Sequence, residues 1–162
     1  LEQVSNKIKD LADKKKDVNT DDIVAIGIDV LNKLSEEEDV IKLDELTIVT
    51  GNRTTPTATV GLVIDGEKKV STGIGVGPVN AATNAIKSIV GPTMNLKEYS
   101  LKAVTGGTDA LANVAIKVED DKGNIFASEA VDEDVIMASV KAILKGANKA
   151  MIYKKKKENG NN

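Results

Sequence analysis

Over residues 1 to about 44 the apolar positions recur at helical spacing. Val4, Ile8 and Leu11 lie three and four apart, which puts them on one side of a helix, and the run Lys14-Lys15-Lys16 ends it. Thr20 suits an N-cap, with Asp21 and Asp22 following where the helix dipole favours acids. Ile23, Ile26, Val30, Leu31 and Leu34 then predict one apolar face of a second helix, which leaves through Glu36-Glu37-Glu38-Asp39. Two short helices with one stripe each make no strong core. This stretch is expected to be an appendage that leans on something else.

From Leu43 the period falls from 3.6 to 2. Leu46, Ile48 and Thr50 alternate with Thr47 and Val49, and Ala58, Val60, Leu62 and Ile64 alternate with Thr57, Thr59 and Gly61. Asp65-Gly66 is a hairpin signal. Val70, Thr72 and Ile74 predict the apolar face of a third strand. Pro78 then opens a helix whose face is Val79, Ala82, Ile86, Ile89 and Val90, and Gly91-Pro92 stops it. The order repeats. Tyr99, Leu101 and Ala103 predict one strand, Ala112, Val114, Ile116 and Val118 a second, and Ile125 to Ala130 a third after the turn at 121–124. Asp132 is read as the cap of a last helix carrying Ile136, Val140, Ile143, Leu144 and Ala147. Both helices share Val-x-x-Ala-Ser/Thr, at Val79 and Val135. The expected fold is α+β: duplicated βββα units, antiparallel sheets with packed helices, behind a small helical segment. The expected divisions are 1–43, 44–152 and a disordered Lys-rich tail, 153–162.

Composition narrows the function. The 162 residues suffice for one domain and an appendage, and 41% hydrophobic with 29% charged residues is the balance of a globular chain. With 22 basic against 25 acidic residues the net charge is −3, unlike a general nucleic-acid binder, and Phe126, Tyr99 and Tyr153 are too few aromatics for base stacking. There is no His and no Cys. Imidazole or thiolate metal sites and His-dependent nucleophiles are excluded, and the lack of disulfides fits a cytoplasmic location. No apolar run approaches the roughly 20 residues of a membrane span, and no signal peptide is evident, so neither membrane nor nucleic acid is an expected partner. The chain begins with Leu and reads as a piece of something longer.

Three features could carry chemistry. In Gly73-Ile-Gly-Val-Gly-Pro-Val79 the spacing fails G-x-G-x-x-G, because Pro78 or Asn80 falls where the last glycine belongs. The N–H groups of Gly77, Val79 and Asn80 still face out of a helix start, which suits a small anion such as a carboxylate; a plain tight turn is the alternative. Thr105-Gly-Gly-Thr-Asp-Ala110 is either a hairpin loop or a backbone-lined cup with Asp109 placed for an ammonium. Small residues at Ala81, Ala82, Ala103, Ala110 and Ala112 leave room for a branched aliphatic side chain. Acidic residues are many, but none forms a catalytic pair by spacing, so no catalytic residue is expected in this piece.

The string from Gly51 through Pro56-Thr-Ala-Thr-Val60, Gly75-Val-Gly-Pro-Val-Asn-Ala-Ala82, Tyr99, Gly106-Gly-Thr-Asp-Ala110 and the helix from Asp134 to Asn148 resembles the C-terminal regulatory domain of the 2-isopropylmalate synthase family. Citramalate and homocitrate-type synthases are its relatives. The resemblance covers roughly residues 43–150 and makes residues 1–43 similar to the family's linker subdomain. It implies an absent catalytic barrel that condenses acetyl-CoA with a 2-oxo acid on a divalent metal; no cofactor is implied for this piece. It further implies a homodimer that binds an end-product amino acid near its two-fold axis. Gly75, Gly77 and Asn80 would hold the amino-acid backbone. Val79, Leu96, Tyr99, Ala103 and Ala110 would line the aliphatic pocket. Asn80 stands where the family commonly has Asp, leaving the ligand ammonium to backbone carbonyls or Asp109. Leucine is the leading effector. The alternatives are isoleucine, as in citramalate synthase, and a purely structural dimerisation module of a homocitrate-type synthase. One methyl position is worth only about 1–3 kcal/mol, so leucine and isoleucine stay open.

Overall fold

A computed structural model describes residues 2–14, 20–35, 38–91, 94–103 and 110–160. The first unit is a three-stranded antiparallel sheet of order β1 (Ile41–Gly51), β2 (Thr54–Ile64) and β3 (Glu67–Ile74), followed by α3 (Pro78–Val90). The β2–β3 turn has Asp65 at φ 52 and Gly66 at φ 82, the two positive values a tight hairpin needs. Register puts Leu43, Leu46 and Ile48 beside Leu62, Val60 and Ala58 on the face that meets α3. β3 departs from expectation. Val70, Thr72 and Ile74 do share a face, but it is the outer one, and Val70 and Ile74 are 53% and 62% exposed. The inward residues are Ser71 and Gly73. The cause is the closeness of α3: a Cβ on Gly73 would strike the Ala81 carbonyl oxygen and lie 2.5 Å from the Ala85 nitrogen. Only small residues fit beneath the helix.

The second unit repeats this with β4 (Asn95–Ala103), β5 (Ala112–Glu119), β6 (Ile125–Asp132) and α4 (Val135–Gly160), in sheet order β4-β5-β6. The α+β fold of duplicated βββα units is therefore present. Gly146 lets α4 settle, since a Cβ there would lie 2.9 Å from Ile116 Cδ1, and Ser128 Oγ donates to the Ala142 carbonyl at 2.7 Å. The repeat extends to side chains. Thr83 donates to the Val79 carbonyl at 2.8 Å, and Ser139 to the Val135 carbonyl at 2.6 Å.

Two expectations about α4 change. Its cap is Asp134, not Asp132: Asp134 Oδ1 accepts the Ile136 and Met137 N–H groups at 2.7 and 2.9 Å. Asp132 instead receives the Asp134 N–H and the Lys141 ammonium. Asp134→Ala is expected to cost about 1 kcal/mol, a fall of roughly 2–4 °C in thermal midpoint, measurable by calorimetry. The stretch from Tyr153, expected to be disordered, continues the helix to Gly160. Tyr153 lies edge-on to Phe126 at 5.5 Å, Lys157 sits over the Tyr153 ring at 5.0 Å, and Lys155 pairs with Asp65 at 2.8 Å. Residues 161–162 lie outside the described residues.

The units are joined through their helices. α3 packs on β2 and β3, α4 on β5 and β6, the helices pack on each other, and α4 also reaches β1. One core runs through both, including Val60, Leu62, Ile86, Val114, Val118 and Ile143. Asn148 of α4 fastens the start of β1. Its Oδ1 accepts the Ile41 N–H and its Nδ2 donates to the Ile41 carbonyl, both at 2.8 Å and both buried. β1 accordingly starts ahead of the expected Leu43.

The helical segment comprises α1 (Glu2–Lys14) and α2 (Thr20–Ser35). α2 lies on β6, with Ala25, Ile28, Leu111 and Val131 forming a satellite cluster on the sheet face away from α4. The expected single stripe of α2 splits: Ile26 and Val30 are buried, whereas Ile23, Leu31 and Leu34 are exposed. The sheet meets the Ala25 side of the helix, and this rotates the larger residues outward. α1 rests on α2, where Lys7 pairs with Asp29. No helix of the described residues is long and apolar enough to cross a membrane.

Candidate functional site

The Gly-rich passage from β3 to α3 is built by its own polar groups. Gly75 N–H donates to the Pro56 carbonyl at 3.0 Å, Val76 N–H donates to Asn80 Oδ1 at 3.2 Å, and Asn84 Nδ2 donates to the Ile74 carbonyl at 2.8 Å. Gly77 is the N-cap of α3 in extended backbone, φ −159, and among the described residues no side chain caps the helix. The first turn holds no acid. Among the described residues its outward N–H groups thus meet no carboxylate, and the helix dipole favours an anion there. α4 differs, because Asp134 fills that role with its own carboxylate.

Asn80 proves to be part of the turn. Its Oδ1 is engaged by Val76, so the side chain shapes the helix start as well as bordering it. Gly75 is needed on the same grounds: a Cβ would lie 2.5 Å from Asn80 Oδ1. Val79 is half-buried at the edge of the core.

The other expected residues lie on β4 and the approach to β5. Leu96 pairs with Val118, Tyr99 with Ile116 and Ala103 with Ala112, all on the inward side of the sheet. Because β4 is an edge strand and α4 covers β5 and β6, that side is open. Tyr99 is 40% and Leu101 49% exposed. The Tyr99 hydroxyl meets Ser139 Oγ at 2.8 Å. Ser139 already donates to Val135, so the phenol is the donor, and the ring is pinned to the start of α4. Ala103 and Ala110 flank residues 104–109 at one end of the β4–β5 ladder. Leu96 is seven residues from Ala103, about 23 Å at strand rise, too far for both to touch one amino acid in a single chain. Asp109 and the Gly106-Gly-Thr-Asp passage lie outside the described residues. Among the described residues no hydrogen bond or ion pair joins the α3 start to the β4 group.

Sequence reading missed Asn84, which secures the end of β3, and Ser139, which orients Tyr99. Ser139 was visible only as half of the repeated Val-x-x-Ala-Ser/Thr pattern.

Two βββα units sharing one core, preceded by a helical segment, define the class of duplicated α+β domains. Residues 17–151 match the LeuA allosteric (dimerisation) domain, and the chain belongs to that family. It is 43% identical over 156 residues to a 2-isopropylmalate synthase of Methanocaldococcus jannaschii, covering 96% of this chain and 30% of the relative. It is 41% identical over 157 residues to a protein named as a 2-isopropylmalate synthase in Archaeoglobus fulgidus, with 97% and 31% covered. It is 42% identical over 157 residues to a protein named as an (R)-citramalate synthase in Methanothermobacter thermautotrophicus, with 96% and 31% covered. The chain thus spans about a third of the length of these relatives.

Proposed function

We propose that this chain is the feedback-sensing, dimerising part of a 2-isopropylmalate synthase, with leucine as effector. The observation that carries this reading is the contrast between the two helix starts. α4 is capped by its own Asp134, whereas α3 begins at Gly77 with no side-chain cap and no acid in its first turn. A ligand carboxylate would supply at α3 what Asp134 supplies at α4. The open side of β4, with Tyr99 and Ala103, would give the aliphatic group an apolar wall, with Ala110 contributing from the approach to β5. Leu96, at the far end of β4, would meet the ligand from a second copy. Two copies would bind the effector between them and pass the bias through the helical segment to a catalytic barrel. Such coupling typically amounts to about 1–3 kcal/mol.

A second reading is isoleucine sensing in a citramalate synthase, favoured by the 42% identity to the Methanothermobacter thermautotrophicus relative. Both are tested by thermal unfolding of the chain with leucine, isoleucine, valine and lysine. At 100 times its dissociation constant the effector adds about 2.7 kcal/mol, or roughly 5–11 °C. A shift with leucine alone supports the first reading, and a larger shift with isoleucine the second. Ala110→Phe should fill the pocket and abolish the shift while sedimentation still shows a dimer. A folded dimer that responds to none of the four would leave a structural dimerisation module.

A further inference from the structure

We propose that the cleft between α2 and the corner formed by β1, β6 and α4 is a second ligand site, which takes a small carboxylate with a short aliphatic body. The cleft has a volume of about 360 Å³, within the range of small-molecule sites. Its floor is apolar, formed by Ile41, Leu43, Ala130, Val131 and Leu144. Its rim is cationic: Lys33, Lys42, Lys141 and Lys145 stand against Asp29 and Asp39.

Among the described residues the pairing of these charges leaves a positive surplus. Asp39 is committed to Lys145 at 3.3 Å in a largely buried pair. Asp29 serves two cations, Lys7 and, at 3.5 Å, Lys33. Lys141 turns to Asp132 at 2.6 Å. Lys42 makes no ion pair among the described residues and is exposed. The adjoining space near Lys7 also holds Asp10, Asp132 and Glu133, so the surplus belongs to the α4 side of the cleft. Crowding of cations is felt at Lys7, where burial and then the Lys33 and Lys141 ammonium groups pull the amine down to about 8. An anion placed between Lys33, which shares its only carboxylate with Lys7, and Lys42 gains charge-assisted hydrogen bonds. An apolar body on the Val131 and Leu144 floor gains burial. An amino acid is disfavoured, because its ammonium would face the same lysines.

The walls come from two parts of the chain, α2 on one side and β1, β6 and α4 on the other. A ligand there would tie the helical segment to the sheet. This site is separate from the start of α3, so the two readings stand or fall apart. The test is a ¹⁵N–¹H titration of the whole chain with sodium 4-methylpentanoate, inorganic phosphate, leucine and 4-methylpentan-1-ol, against matched sodium chloride. Saturable shifts are expected at Lys33, Lys42, Val131 and Leu144 with 4-methylpentanoate, weaker ones with phosphate, and none there with leucine. Lys33→Gln with Lys42→Gln should weaken binding at least about tenfold, with the spectrum elsewhere unchanged. Equal shifts from the alcohol, absence of saturation, or undiminished binding in the double variant would each overturn the proposal. Leucine shifts confined to residues 75–80 and the β4 strand would bear only on the effector reading.

Discussion

Replacing Asn148 with Leu is expected to lower the thermal midpoint by roughly 6–12 °C. Leucine keeps the branched shape of the side chain, and its greater bulk adds only a smaller packing cost in the same direction. What is lost is both hydrogen bonds to Ile41, each 2.8 Å long, in a place where Asn148 and Ile41 are each 2% exposed. A buried backbone group left without a partner costs about 1–3 kcal/mol, and two such groups give about 3 kcal/mol in a domain this size. Lys149→Ala serves as the control. It removes only an exposed bond to the Ala127 carbonyl and should stay within about 0.5 kcal/mol. Calorimetry on the pair decides the matter. Equal midpoints would mean that β1 is not held by α4.

Gly75→Ala should be the next most severe change, with a functional signature as well. The added Cβ would lie 2.5 Å from Asn80 Oδ1 and 2.8 Å from the Asn80 carbonyl carbon. Cβ atoms do not sit that close to their neighbours, so the turn must open and the Val76–Asn80 bond is given up. Overpacking of this kind costs about 2 kcal/mol, or roughly 4–8 °C. The start of α3 shifts with it, and any leucine-induced rise in midpoint should disappear. Gly77→Ala, two residues on, offers the contrast. Nothing lies within 4 Å of its Cβ, and its φ of −159 suits any residue. It should fold as the parent does. Similar behaviour of the two variants would break the link between the crowding at Gly75 and the shape of the helix start.

The duplicated βββα order was legible because each strand and helix carries its own period. Val114, Ile116 and Val118 alternate as a half-buried strand must, and α3 keeps a 3.6 spacing. Legibility failed where one element rotates against another. β3 alternates clearly, yet its larger residues face outward, because α3 sits so near that only Ser71 and Gly73 fit under it. Likewise α2 carries more apolar residues than one face can bury, and periodicity cannot say which side the sheet meets. Sequence alone puts the cap of α4 at Asp132, two residues early, because acids fill positions 132–134 and only backbone geometry selects Asp134. Tyr153 could not be seen to prolong α4, because its partner Phe126 is remote in sequence. The candidate site divides along the same line. Gly75, Gly77 and Asn80 form a local motif and were readable as one. How they relate to Tyr99, Ala103 and Ala110 depends on how strands of different units, and of different copies, come together.

The fastening of β1 by α4 also sets an order of events for a chain made from its N-terminus. Ile41 leaves the ribosome long before Asn148, 107 positions later. Until then the backbone at the start of β1 has water, or another nascent chain, as its partner. Contacts of such long sequence separation form late and slow folding. The first unit can pair its hairpins as it emerges, but its first strand stays unsecured at that end until α4 has been made. A chain cut between the units would yield a first half with this end of its sheet open and a second half whose Asn148 amide meets water instead of Ile41. Each half would also expose part of the core that the two units share, and would be less stable than the joined chain.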